Sequence, residues 1–159
     1  EEEIERALVI DLDVHQGNGT AVACQDEEVV YTFSMHGEKN FPFVKERSSL
    51  DVGLDDGLTD GEYVKIMVAH LPQVLEAARA DIVFYLAGVD LVAGDRYGRL
   101  ALSRAGLRAR DRMVLERVKA TGAALVLLLS GGYASTPQET ADLHAEVHRV
   151  AREVYGTNG

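Results

Sequence analysis

The chain has 159 residues, 47 % of them apolar and 26 % charged, with a formal net charge of −10 and a single cysteine. That length allows one domain with a sizeable core, the acidity argues against a nucleic-acid partner, which normally meets a basic face, and one thiol excludes an internal disulfide framework. No stretch approaches the roughly 18 apolar residues that span a bilayer, and the opening Glu1-Glu2-Glu3 is the opposite of a secretory leader, so the expectation is a cytoplasmic chain with no membrane partner.

In chain order, Ala7 to Leu12 reads as a first buried strand and Glu28 to Ser34 as a second. Cys24, in the apolar stretch from Thr20, reads as a buried core thiol. A short strand over Leu50 to Leu54 is the faintest of the set. The spacing of Val64, Met67, Val68, Leu71, Val74, Leu75 and Ala78 predicts a one-sided helix from about Asp60 to Ala80. Thr59 and Glu62 form its capping box, and Pro72 predicts a kink or break. Asp81 to Ala87 is the next strand. A helix from about Ser103 to Ala120 follows, stopped by Gly122, and Ala124 to Ser130 is another strand. The last helix opens at Pro137 behind a Thr136 cap and reaches about Tyr155.

Strands with continuous apolar runs alternating with helices predict an α/β fold, a parallel sheet with helices on both faces. The chain, 1–159, reads as one domain. It enters a buried strand almost at once, so that first strand is expected to form an exposed edge or to belong to an incomplete sheet.

Open parallel sheets bind ligands beyond the carboxyl ends of their strands. Beyond the first strand lies Asp11-Leu12-Asp13-Val14-His15, in which two carboxylates and an imidazole project to one side if the chain stays extended. Beyond the third apolar strand lies Gly88-Val89-Asp90, and beyond the last Ser130-Gly131-Gly132-Tyr133. Asp13, His15 and Asp90 are a three-ligand set of the kind that holds a catalytic metal, and Tyr133 could present a hydroxyl to a bound substrate. Each has a plainer reading: solvated turn carboxylates, a helix cap, a half-buried aromatic. Asp95 reads as a supporting acid. His36 reads as a structural or pocket-side group, His70 as a partly exposed boundary residue, and His144 and His148 as members of a solvated helix face.

These motifs carry a resemblance. Asp11-Leu12-Asp13-Val14-His15-Gln16-Gly17-Asn18-Gly19-Thr20 resembles the signature of the histone deacetylase family. Gly88-Val89-Asp90-Leu91 with Gly94-Asp95-Arg96-Tyr97-Gly98, and Gly131-Gly132-Tyr133, are similar to its next two motifs in the same order. Gln16, where many members carry a second histidine, and Phe33 to Phe43 look like the bacterial and class IV branch. The resemblance implies the arginase/deacetylase type of fold and a zinc-dependent hydrolase that removes acetyl groups from lysine or another amine. It implies Asp13, His15 and Asp90 as zinc ligands, with iron an alternative metal, and Tyr133 as the tyrosine facing the transition state. Asp11, with carbonyls near Asp13, His15, Ser34 and Met35, would hold a structural potassium ion. Phe41, Tyr97, Gly131 and Gly132 would line the substrate channel.

One departure from the family pattern stands out. The family's paired catalytic histidines precede the Asp-x-Asp-x-His strand, and this sequence has no adjacent His-His. The expectation is therefore a carboxyl-terminal portion of the domain that carries metal and tyrosine motifs without the general base. Two alternatives compete: a catalytically inactive metal-binding or interaction domain, and a two-metal ureohydrolase on the related fold.

Overall fold

The computed structural model describes residues 4–156. The acidic opening, on which the expected location partly rested, lies outside the described residues. The elements are β1 (Ala7–Asp11), α1 (Asn18–Ala23), β2 (Val30–Gly37), β3 (Leu50–Leu54), α2 (Asp60–Ala78), β4 (Ile82–Ala87), α3 (Arg104–Thr121), β5 (Ala124–Leu129) and α4 (Pro137–Tyr155). The strands form one all-parallel sheet in the order β3-β2-β1-β4-β5. This is the α/β class that the alternation of apolar runs and helical periodicity requires. None of the described helices is long and apolar enough to cross a membrane.

The first strand is not an edge. β1 sits in the middle, hydrogen-bonded to β2 on one side and β4 on the other, and the edges are β3 and β5. The order of parallel strands depends on long crossovers, which local sequence does not encode.

The helices stop and start where cap chemistry dictates. Thr59 and Glu62 close the capping box of α2, Ser103 accepts the Gly106 N–H at the start of α3, and Thr136 accepts that of Glu139 at the start of α4. Gly122 ends α3 at φ 82°, a left-handed conformation that glycine adopts without strain. Pro72 does not break α2, which runs unbroken to Ala78 and ends on Arg79. Val68, assigned to the apolar stripe, is 54 % exposed; the buried stripe is Tyr63, Met67, Leu71, Val74 and Ala78. The six-residue α1 was not foreseen, and Cys24 caps its carboxyl end half-buried rather than in the core.

One sheet face is dry. Leu8, Ile10, Val83 and Tyr85 are buried there with Met67, Leu71 and Val74 of α2 and Val114, Leu115 and Val118 of α3. Each such side chain contributes roughly 1.5–3 kcal/mol by leaving water. The other face is less covered. Val9, Ile82, Phe84 and Leu86 are half-buried, and on β5 Leu128 and Leu129 are 39 % and 59 % exposed.

Candidate metal centre

The last backbone rung between β1 and β4 runs from the Leu12 N–H to the Leu86 carbonyl. Beyond it no further backbone rung joins the two strands among the described residues, and their next residues carry the candidate ligands. Asp13 and Asp90 are buried, and the His15 side chain is 25 % exposed. His15 Nδ1 lies 3.1 Å from Asp13 Oδ1 and 3.2 Å from Asp90 Oδ2. One ligand atom from each residue falls within 4.8 Å of the others. Asp11 stays outside this trio: the strand ends there, and its carboxylate turns back to accept the Asp13 N–H at 3.1 Å.

Both carboxylates are held from behind. Asp13 Oδ2 accepts the Ser130 hydroxyl and the Gly131 N–H, each at 2.6 Å, and Asp90 Oδ1 accepts the Val14 N–H at 2.9 Å. The Val89 N–H donates to the Gly131 carbonyl at 2.7 Å, tying the loop after β4 to the loop after β5. Gly131 is there because nothing larger fits: a Cβ on it would stand 2.2 Å from Asp90 Oδ2 and 2.7 Å from Asp13 Oδ2.

Burial alone would raise Asp13, but hydrogen bonds from His15, Ser130 and Gly131 outweigh it and hold the carboxyl well below the usual range. The bonds to Asp13 and Asp90 push His15 up to about 10. Burial raises Asp90, and the neighbouring Asp13 charge adds to it. Burial likewise lifts Asp11 to about 7. At neutral pH the trio therefore shares a proton on His15, and two carboxylates with an imidazole form a donor set that one divalent ion can take over.

Tyr133 stands at the mouth, 48 % exposed, its ring edge-on to Tyr97 with centroids 4.9 Å apart. Asp95 positions both tyrosines: it accepts the N–H groups of Tyr97 and Gly98 at 2.8 Å and that of Tyr133 at 2.6 Å. A cavity of about 420 Å³ is lined by His15, Asn40, Phe41, Phe43, Tyr97 and Tyr133, among others. Phe41 and Tyr97 form its exposed rim, whereas Gly131 lies deeper, against the carboxylates, and Gly132 faces a second cavity.

Asp11 and Ser34 are register partners on β1 and β2, and Met35 follows in the same strand. His36 is buried, its Nδ1 2.9 Å from Ser34 Oγ. His144 does not lie on a solvated face. It is half-buried, its Nδ1 has no hydrogen-bond partner among the described residues, and its Nε2 would be 3.0 Å from a Cβ on Gly132. His148 beside it is exposed, and His70 is half-buried against the Ile66 carbonyl.

Three residues to which the sequence reading assigned no role in the site support this arrangement. Gln16 donates to the Glu46 carbonyl and to Asp51 and accepts the Glu46 N–H, pinning the segment that carries Phe41 and Phe43. Asn40 donates to the Tyr97 carbonyl at 2.7 Å. Arg110, wholly buried, sits beneath the strand ends. Its signal was present: Leu107, Arg110, Asp111, Val114 and Val118 share the apolar spacing of α3, so a charged pair occupies core positions.

The parallel α/β sheet gathers acidic and imidazole side chains that could hold one metal ion beyond its strand ends. The chain belongs to the histone deacetylase domain family, whose model matches residues 1–150. An uncharacterized protein of Picosynechococcus is 48 % identical over 151 residues, 95 % of this chain and 50 % of that protein. Histone deacetylase 2 of Arabidopsis thaliana is 35 % identical over 82 % of this chain and 34 % of its own. The solved HDA15 HD domain superposes at a TM-score of 0.74 with 23 % identity, over 97 % of this chain and 46 % of its own. The histone deacetylase Clr3 superposes at the same TM-score with 25 % identity. The chain spans half or less of the length of these relatives.

Proposed function

We propose that this chain is the metal-binding and tyrosine-bearing part of a zinc-dependent deacetylase that hydrolyses acetyl groups from lysine or another amine. The observation that carries the reading is the meeting of Asp13, His15 and Asp90 at the end of a cavity rimmed by Phe41, Tyr97 and Tyr133. Three ligands, one nitrogen and two oxygens, suit a catalytic zinc site, and ferrous iron accepts the same donors. Zinc, when bound, supplies Lewis-acid polarisation of the acyl carbonyl and acidifies a water. The Tyr133 hydroxyl donates to the carbonyl oxygen as it gains charge. Phe41 and Tyr97 flank the alkyl stem of the acylated side chain and exclude water from it. Asp11, with the carbonyls of Asp13, His15, Ser34 and Met35, holds a structural potassium ion; a buried carboxylate raised to about 7 gains most from such a partner. The working enzyme is cytoplasmic, and its partner is an acetylated amine rather than nucleic acid.

The general base comes from polypeptide outside this chain, seated along β5. The chain's share of its relatives' length and the exposed Leu128 and Leu129 support this. Loss of a general base costs about 10²–10⁴ in rate, so the chain alone should be nearly inactive.

The test joins this chain to the remaining half of the Picosynechococcus relative and follows hydrolysis of a fluorogenic acetyl-lysine peptide with zinc. The joined protein should turn over, and Tyr133→Phe should lower kcat about 10²–10³-fold at unchanged zinc content. Equal turnover by the chain alone would remove the need for a base from elsewhere. No turnover from a folded, zinc-loaded joined protein would end the deacetylase reading.

Gly131→Ala offers a check that alters no ligand. The new methyl must displace the two carboxylates, so zinc affinity should fall roughly 10–100-fold, as it does when outer support of a ligand is lost. Competition with a chromogenic chelator measures this. An unchanged Kd would show that the carboxylates have room to yield.

A further inference from the structure

We propose that Arg110 is a positioning residue that sets the spacing between Asp13 and Asp90, an inference that rests on the metal reading above. Its guanidinium is wholly buried and bridges two strand ends. Nη1 donates to the Gly88 carbonyl at 2.6 Å and to the Leu12 carbonyl at 3.2 Å. Leu12 immediately precedes Asp13, and Gly88 lies two residues before Asp90. The Leu12 N–H makes the last rung between β1 and β4, so beyond it the sheet ladder no longer fixes the distance between these chains. The bridge takes over that task.

The guanidinium is itself fixed. Its Nε and Nη2 donate to Asp111 Oδ1 at 2.9 and 2.7 Å, and the Tyr85 hydroxyl donates to the same oxygen at 2.6 Å. Tyr85 belongs to β4 and Asp111 to α3, so the clamp ties the helix to both ligand-bearing strands. The approach is close: a Cβ on Gly88 would stand 2.7 Å from the Asp13 Cα. Two buried carbonyls meeting at such a point need a shared donor, because an unpaired buried acceptor is costly. Lysine cannot replace this arrangement. Its single ammonium cannot serve Asp111 and both carbonyls in the fixed planar geometry of a guanidinium.

The experiment measures zinc affinity by chelator competition and urea unfolding of the zinc-free chain, for the wild type, Arg110→Lys and the control Val74→Ala. Val74 is buried in α2, an element that supplies none of the site residues. Arg110→Lys should weaken zinc binding about 10–100-fold and shift the absorption bands of the cobalt-substituted site. Val74→Ala should lose stability while keeping zinc affinity within about threefold, as expected of distant, independent sites. Wild-type zinc affinity in a folded Arg110→Lys chain, or an equal loss of affinity in Val74→Ala, would overturn the proposal. So that the idea does not depend on a variant folding, the wild-type chain provides a second readout. The Arg110 Nε–H resonance should shift on zinc titration with the same midpoint as the His15 ring, and an unmoved resonance would also overturn it. Failure of the wild type to bind zinc at all would instead sink the metal reading, and this inference with it.

Discussion

Replacing Asp90 with asparagine should abolish the rise in melting temperature that zinc produces. Asparagine has the same shape, and its side-chain oxygen can still accept the Val14 N–H. What it removes is a charge. Burial and the neighbouring Asp13 carboxylate raise Asp90, so in the metal-free chain its ionised form is disfavoured by folding. For such an acid the unfolded chain releases its proton at lower pH, and stability is lost as pH rises through the interval between the unfolded and folded values. Above that interval the neutral amide relieves this cost, while the proton on His15 loses one of the two carboxylates that hold it.

With zinc the balance reverses. Two carboxylates and an imidazole become one carboxylate and an imidazole, and affinity should fall by more than the 10–100-fold typical of outer-shell losses. Zinc at 100 times its Kd stabilises the wild type by about 2.7 kcal/mol, and the variant should show none of this at the same concentration. Thermal melts with and without zinc decide the matter; an undiminished zinc-induced shift in Asp90→Asn would remove Asp90 from the ligand set. The pH dependence gives an independent reading. His15, raised to about 10 by its bonds to Asp13 and Asp90, holds a proton that zinc must expel. The logarithm of zinc affinity should therefore climb by about one for each pH unit across the neutral range, and a flat profile would contradict the shared proton.

The second large effect is expected at Asp111, whose removal by Asp111→Ala should destabilise the chain by about 3–5 kcal/mol. Arg110 and Asp111 are both wholly or almost wholly buried. Breaking such a pair from one side leaves a charge without a partner in a medium that solvates it poorly. The Tyr85 hydroxyl loses its acceptor at the same time. For a domain of this size, each kcal/mol corresponds to roughly 2–4 °C in Tm. Urea unfolding of the zinc-free chain gives the value directly. A loss under about 1 kcal/mol, the range of an ordinary hydrogen bond, would mean that water or a rearranged side chain replaces the carboxylate.

The sequence made the elements legible wherever a cap or an uninterrupted apolar run was present. Thr59, Ser103 and Thr136 announce their helices, and the apolar runs Ala7 to Asp11, Ile82 to Ala87 and Ala124 to Leu129 announce strands, although in the last of them no residue is buried. α1 escaped notice because six residues beginning Asn18-Gly19-Thr20 have neither the length nor the propensity to declare a helix. The convergence of Asp13, His15 and Asp90 was legible because each follows a strand, and in a parallel sheet all such positions gather at one end. The central place of β1 was not, since partner choice between strands is settled by contacts dozens of residues apart. Arg110 was hidden for a related reason. An arginine on an apolar stripe reads as an imperfection until the two carbonyls it serves, 98 and 22 residues away, are brought to it.

The open flank of β5 has a consequence for handling the molecule. Its backbone groups and the uncovered leucines form a template onto which any extended apolar peptide can lay itself, including a second molecule's own β5. Crowding should therefore limit the chain before heat does, with solubility falling steeply as salt screens the mutual repulsion that a charge of −10 provides.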